Sequence, residues 1–131
     1  MNESITHLKV PIEDEESKQC LGPEGSVAYV AKVLKIISGR WTLPILFRLF
    51  AVPNMRHSQF LKSIPEISHK VLTEHLRKLE SDGLISRTDF GEKTLRVEYG
   101  LTASGRNLMP VLISMREFSR HHLEKSIDSI A

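Results

Sequence analysis

A single cysteine, no long apolar run and no large surplus of either charge set the first limits on this 131-residue chain. With Cys20 alone, no disulfide framework can form within the chain, and no Cys/His spacing resembles a zinc site. Three readings of Cys20 remain: an inert small apolar residue, a reactive thiol, or half of an intermolecular bridge. No apolar stretch approaches the roughly 18 residues that cross a bilayer, and the N-terminus lacks a basic-then-apolar signal peptide. The expectation is a cytoplasmic protein with no membrane partner. Catalytic hardware is missing too: there is no phosphate-binding loop, no paired-carboxylate site and no evident oxyanion hole. Cys20 with a distant histidine is the one nucleophile pair conceivable in principle. The chain is therefore expected to be no enzyme and to hold no catalytic residue, metal or cofactor.

At this length the chain is expected to form one domain with a single core, and its 40% hydrophobic and 26% charged residues are ordinary for a folded protein. The net charge of +2 says little about partners, but its distribution says more. Residues 1–19 carry five acidic residues (Glu3, Glu13, Asp14, Glu15 and Glu16) against Lys9 and Lys18, a net of −3. The remainder holds 16 basic and 11 acidic residues, a net of +5. Residues 1–19 therefore read as an acidic, partly flexible arm and residues 20–131 as the folded unit. Any affinity for a polyanion must come from where the cations sit.

From Ser26, Val27, Val30, Ala31, Leu34 and Ile37 fall at helical spacing, and Ser38-Gly39 ends that helix. A second helix is predicted over Arg40 to Ala51, where Trp41, Leu43, Ile45, Leu46, Leu49 and Phe50 cover so much of the circumference that burial on most sides is expected. Trp41 itself reads as core. Pro44 fits only within its first turns. Met55-Arg56-His57 suggests a very short strand, followed by a brief helix over Gln59 to Ser63 capped by Ser58, with Phe60, Leu61 and Ile64 inward. Ile64-Pro65-Glu66-Ile67 makes a turn.

The richest stretch runs from Ser68 to Leu101. Val71, Leu72, Leu76 and Leu79 form an apolar stripe that turns His69, Lys70, Thr73, Glu74, Arg77 and Lys78 to the opposite side, and Ser68 is a natural N-cap. Asp82-Gly83 stops the helix. Leu84 to Phe90 and Leu95 to Leu101 read as strands around Gly91-Glu92-Lys93-Thr94, with Leu95, Val97, Tyr99 and Leu101 packed and Arg96, Glu98 and Gly100 wet. Thr102 then caps a long helix to about Ser126, striped by Leu108, Val111, Leu112, Met115 and Phe118 and kinked at Pro110. A short helix, a tight turn, a longer amphipathic helix and a hairpin give the order of a winged helix-turn-helix. The predicted fold class is mainly α with a small antiparallel β-hairpin, extended by N- and C-terminal helices.

Several stretches resemble the HxlR family of winged helix-turn-helix regulators, which are MarR-like. They are Gly39-Arg40-Trp41-Thr42-Leu43-Pro44-Ile45-Leu46, Ile67 through Glu80, Asp82-Gly83-Leu84-Ile85-Ser86-Arg87, Arg96-Val97-Glu98-Tyr99-Gly100-Leu101-Thr102, and Gly105-Arg106 with Leu108-Met109-Pro110-Val111-Leu112. The resemblance covers roughly residues 20 to 120 in family order. It implies a cytoplasmic transcriptional regulator that binds double-stranded operator DNA as a homodimer, with the first and last helices as dimerisation helices. It also implies a role for Cys20, since many members carry a cysteine at that place and some use it to sense oxidants or electrophiles. The chain departs from the family in its wing, where Thr94-Leu95 replaces a common Pro-Pro pair.

The expected recognition helix is residues 68–82 and the expected wing residues 84–101. His69, Lys70 and Thr73 are expected at base edges, Arg77 at a base or a phosphate, and Lys78 and Ser68 at the DNA backbone. Glu74 either accepts from a cytosine amine or pairs with Lys70 or Lys78. Lys93 and Arg96 are the wing candidates, and Arg56 and Ser58 the candidates for a phosphate at the shorter helix. His75, beside the apolar stripe, reads as packed and hydrogen-bonded, and His121-His122 as an exposed pair. The function this predicts is a dimeric regulator, more a repressor than an activator, on a pseudo-palindromic operator, with Cys20 a candidate thiol sensor and any small-molecule effector unidentified. The competing expectation is a winged-helix protein-interaction module without sequence-specific DNA binding, which the modest charge surplus and the altered wing favour.

Overall fold

The structure is a computed structural model that describes residues 21 and 23–123. The acidic arm and Cys20 lie outside the described residues. Residues up to Ser38 and residues from Gly39 onward form two separate compact units. In the first, α1 spans Ser26–Ile37, as the periodicity predicts. Its apolar side chains Val27, Tyr29, Val30, Val33 and Leu34 are exposed.

The second unit runs α2 (Thr42–Ala51), α3 (His57–Ser63), α4 (His69–Ser81), β1 (Ile85–Asp89), β2 (Val97–Leu101) and α5 (Ala103–His122). Its core is an apolar set drawn from all four helices and β1: Ile45, Leu46 and Leu49 from α2, Phe60 from α3, Leu72, Leu76 and Leu79 from α4, Ile85 from β1, and Met109 and Leu112 from α5. Helix α2 packs on β2 and α5, α3 packs on α4, and α4 packs on β1. The second helix is less enclosed than predicted. It starts at Thr42, with Trp41 as a half-buried N-cap under the Arg40 guanidinium (4.5 Å from the ring), and Leu43 and Phe50 face outward.

The short strand predicted near Met55 is a single antiparallel bridge, in which Met55 and Tyr99 exchange backbone hydrogen bonds of 2.9 and 2.8 Å. The next helix begins at His57, two residues earlier than expected. Arg56, not Ser58, is its N-cap, because the Gln59 side chain reaches back to accept the Arg56 N–H at 2.7 Å. Ile64 and Ile67 are buried through the turn, and Ser68 accepts the Val71 N–H at 3.1 Å, as an N-cap serine should.

Helix α4 ends in a Schellman motif: the Leu84 N–H reaches the Leu79 carbonyl and the Gly83 N–H the Glu80 carbonyl, both at 3.0 Å. This requires the left-handed backbone that Gly83 adopts (φ 79°). It also drops Leu84 beside Ile85, both buried, and so fixes where the hairpin leaves the helix. The strands pair in antiparallel register, Ile85 opposite Leu101 and Asp89 opposite Val97.

Two hairpin expectations are corrected. Leu95 is not on a packed face: its φ is 48°, and it is 88% exposed. The strand begins only at Val97 because a tight turn, with Leu95 N–H bonded to the Gly91 carbonyl, precedes it. Gly100 is buried, not wet, because the Pro53-Asn54 segment crosses over it; a Cβ there would meet the Pro53 carbonyl oxygen at 3.0 Å.

Thr102 caps α5 as predicted, accepting the Gly105 N–H at 3.0 Å while donating to the Gly83 carbonyl at 2.6 Å. The helix continues through Pro110. Its apolar residues divide into two rows. Gly105, Met109 and Leu112 are buried, whereas Val111, Met115 and Phe118 are exposed. Met109, absent from the predicted stripe, is fully buried.

Candidate nucleic-acid interface

Leu72, Leu76 and Leu79 tie one side of α4 to the core, which turns Lys70, Glu74, Arg77 and Lys78 fully outward. Lys70 and Arg77 make no ion pair with any described residue, whereas Lys78 reaches Asp82 at 3.1 Å. Glu74, which the sequence leaves open between base contact and ion pairing, stands between these cations and pairs with neither among the described residues. His69 is also exposed, and Ser68 is exposed beside it at the cap. His69, Lys70 and Glu74 lie in the first two turns of a helix whose cap is already satisfied, the end of such a helix that enters a groove first, and Arg77 and Lys78 follow in its third turn.

Thr73 sits differently from its neighbours. It is half-buried on the flank facing α3, and its hydroxyl donates to the His69 carbonyl at 2.9 Å and contacts His57 Nε2 at 3.0 Å. The His57 and His69 rings lie 4.1 Å apart, tilted by 38°. Partial burial, and then the neighbouring His69, hold His57 below the ordinary histidine value. His57 is absent from the sequence-predicted site, although its neighbours Arg56 and Ser58 are in it. Nothing in the pattern of the chain signals that α3 carries it across to α4.

His75 is half-buried, with Nδ1 donating to the Val71 carbonyl at 3.0 Å, as its position beside the stripe predicts. Arg56 and Ser58 are both exposed at the start of α3. In the hairpin, Lys93 is exposed in the connection between β1 and β2. Arg96 is only half-exposed: its guanidinium lies 4.4 Å over the Phe90 ring, and Nε is 3.5 Å from Glu98. That distance is an ion pair but too long and too poorly aligned for a hydrogen bond, and Nε is buried without one. Arg87, on β1, is a further exposed cation that the sequence-predicted set omits; it lies 3.8 Å from Asp89. At the other end of the chain, His121 faces Glu117 at 3.6 Å and His122 stacks on Phe118, so the two rings serve different partners. Among the described residues no helix is long and apolar enough to cross a membrane, and no group of three or more potential metal ligands occurs.

Residues 36–127 match the family model of the HxlR-like helix-turn-helix. An uncharacterised helix-turn-helix-type transcriptional regulator of Synechocystis is 38% identical over 101 residues, 77% of this chain and 74% of that protein. Among solved structures, a MarR-family transcriptional regulator from Enterococcus faecalis superimposes with a TM-score of 0.72 at 31% identity, covering 78% of this chain and 92% of that one. The reduced form of the transcriptional regulator YodB from Bacillus subtilis superimposes with a TM-score of 0.67 at 27% identity, covering 80% and 97%. YodB has also been solved diamide-treated and quinone-bound. A capped helix with unpaired outward cations, set between a short helix and a hairpin, thus has the same frame in proteins that regulate transcription. The chain belongs to the HxlR-like helix-turn-helix family of DNA-binding transcriptional regulators, which are not enzymes.

Proposed function

We infer that the chain is a homodimeric regulator, acting as a repressor, that reads a pseudo-palindromic operator through α4 and steadies itself with the hairpin. The observation that carries this reading is the outer face of α4, where Lys70 and Arg77 are exposed and unpaired among the described residues. His69, Lys70 and Thr73 address base edges and Arg77 a base or a phosphate. Ser68, Lys78, Arg56 and Ser58 contact the DNA backbone, and Lys93 and Arg96 do so from the wing. The exposed apolar rows on α1 and α5 support dimerisation through those helices, because contiguous apolar surface on a folded chain usually meets a partner. A two-fold dimer sets the two recognition helices about one DNA turn apart, ~34 Å, which is why the operator is expected to be nearly palindromic. Such a protein works where the DNA is, in the cytoplasm.

Cys20 is the proposed sensor of oxidants or electrophiles. The support is the likeness to YodB, which has been solved diamide-treated and quinone-bound. With no second cysteine in the chain, any disulfide formed by Cys20 is intersubunit or mixed with a small thiol, and a quinone adds to the thiolate directly. Cys20→Ser is expected to keep DNA binding and to lose the response to diamide and quinones; an unchanged response removes the sensor from this reading.

The central test is a gel-shift titration on duplexes selected from a random pool. Lys70→Ala and Arg77→Ala are each expected to weaken the selected site about tenfold or more, the worth of one good base contact. The interaction-module reading draws on the wing, whose three cations (Arg87, Lys93 and Arg96) are balanced by Asp89, Glu92 and Glu98. Random duplex bound without a steep salt dependence would favour that reading, since phosphate contacts always carry one.

A further inference from the structure

The contact between α3 and the first turns of α4 has a hydrogen-bond arithmetic that fixes what Thr73 can read. Its hydroxyl owns one proton and lies 2.9 Å from the His69 carbonyl oxygen and 3.0 Å from His57 Nε2. A carbonyl supplies no proton, so the hydroxyl proton goes to it, and His57 Nε2 must then be the donor in the second contact. A neutral ring, the form that burial and the neighbouring His69 favour, holds one proton, and this network places it on Nε2. The same ring lies against His69, 4.1 Å between centroids. Thr73 is left with one free lone pair and nothing to donate.

We propose that His57 is a positioning residue for base readout: from α3 it locks Thr73 as an acceptor-only reader, so that the start of α4 selects a base bearing a major-groove amino group. This rests on the DNA-binding reading above. An acceptor-only oxygen matches the adenine N6 or cytosine N4 amino group and has no proton for guanine N7 or O6 or thymine O4. Without the imidazole donor, the threonine hydroxyl is held by the His69 carbonyl alone and can swing its proton to a base edge, so discrimination falls while the helix and its cations stay. The donor comes from the other helix of the motif, so the selectivity belongs to the pair of helices and not to α4 alone.

The test uses the full chain in site selection from a randomised duplex pool, with melting curves run alongside. Four proteins enter it: wild type, His57→Phe (ring retained, donor removed), His57→Gln (amide donor restored) and Thr73→Val (shape retained, hydroxyl removed). Wild type is expected to prefer adenine or cytosine at one position of each half-site by roughly fivefold or more. His57→Phe and Thr73→Val lose that preference at that position alone, and His57→Gln regains it. If His57→Phe keeps the preference, if His57→Gln fails to restore it, or if discrimination falls evenly across the site, His57 is a packing residue and the proposal is wrong. Should Thr73→Val alone among the folded variants be measurable and retain the preference, the proposal is equally overturned. A wild-type chain that selects no sequence overturns the DNA reading itself and this proposal with it.

Discussion

His57 ties the folding of the motif to pH. Its folded-state pKa lies below the ordinary histidine value, first through desolvation and then through His69. The unfolded chain holds the proton up to about pH 6.5, while the folded chain gives it up earlier on lowering acidity. Between the two values the unfolded state binds more protons, so stability rises with pH through that window, is complete above it and is lost as pH falls. Thermal melts from pH 7.5 down to 5 are expected to show a decline that His57→Gln reduces; identical declines in both proteins would remove His57 as its source. Gly105 makes a sterner demand on a single residue. It sits in the first turn of α5 with the Leu84 carbonyl oxygen where a Cβ would go, and that oxygen is fixed by the Thr102 N–H at 3.0 Å. Gly105→Ala must push helix and hairpin apart, and the expected loss is about 1–3 kcal/mol or more, read from urea midpoints.

At the scale of elements, two threonine and serine caps decide where the recognition helix begins and how the hairpin is joined to α5. Ser68→Ala removes one accepted N–H from the first turn of α4 and is expected to cost about 1 kcal/mol. Thr102→Ala removes two bonds, the Gly105 cap and the 2.6 Å donation to Gly83, and leaves the Gly83 carbonyl without its hydroxyl partner. It should cost about 1–3 kcal/mol, with Thr102→Ser restoring most of it, and a Thr102→Ala protein as stable as Ser68→Ala would show that the Gly83 contact adds nothing. Both caps are legible in the sequence, because a cap is a local event: a hydroxyl residue just ahead of a helical period. The same holds for the Asp82-Gly83 stop and for Leu84 and Ile85 going inward. What resists such reading depends on chain segments far apart. Gly100 is covered by Pro53 and Asn54, Met109 takes the place expected of an outward residue, and the wing turn draws Leu95 out of its strand. Of the candidate site, the outward residues of α4 follow from helical period alone. His57 does not, since its contact with Thr73 crosses from one helix to another.

At the scale of the whole molecule, charge and apolar surface pull the prediction toward symmetry. The described hairpin is balanced in charge and α4 offers few unpaired cations, so one copy of the chain can neutralise few phosphates. Two copies on one operator double that number and add the entropy advantage of a second contact made within the same assembly. The surface available for joining them includes the Val111, Met115 and Phe118 row on α5, spaced at i, i+4 and i+7, with Phe118 58% exposed. Such a row is continuous along the helix and costs free energy while it faces water. A charge placed in it gains solvation in the monomer and loses it in a dimer, which makes Phe118→Asp selective against association and not against the fold. Sedimentation is expected to find wild type as a dimer and Phe118→Asp as a monomer with unchanged circular dichroism. On operator DNA the monomer should bind a half-site weakly, with a salt slope about half that of wild type, because the slope counts neutralised phosphates. A Phe118→Asp protein that remains dimeric would move the interface elsewhere. One that becomes monomeric yet binds the full operator with the wild-type slope would show that the two halves never needed each other.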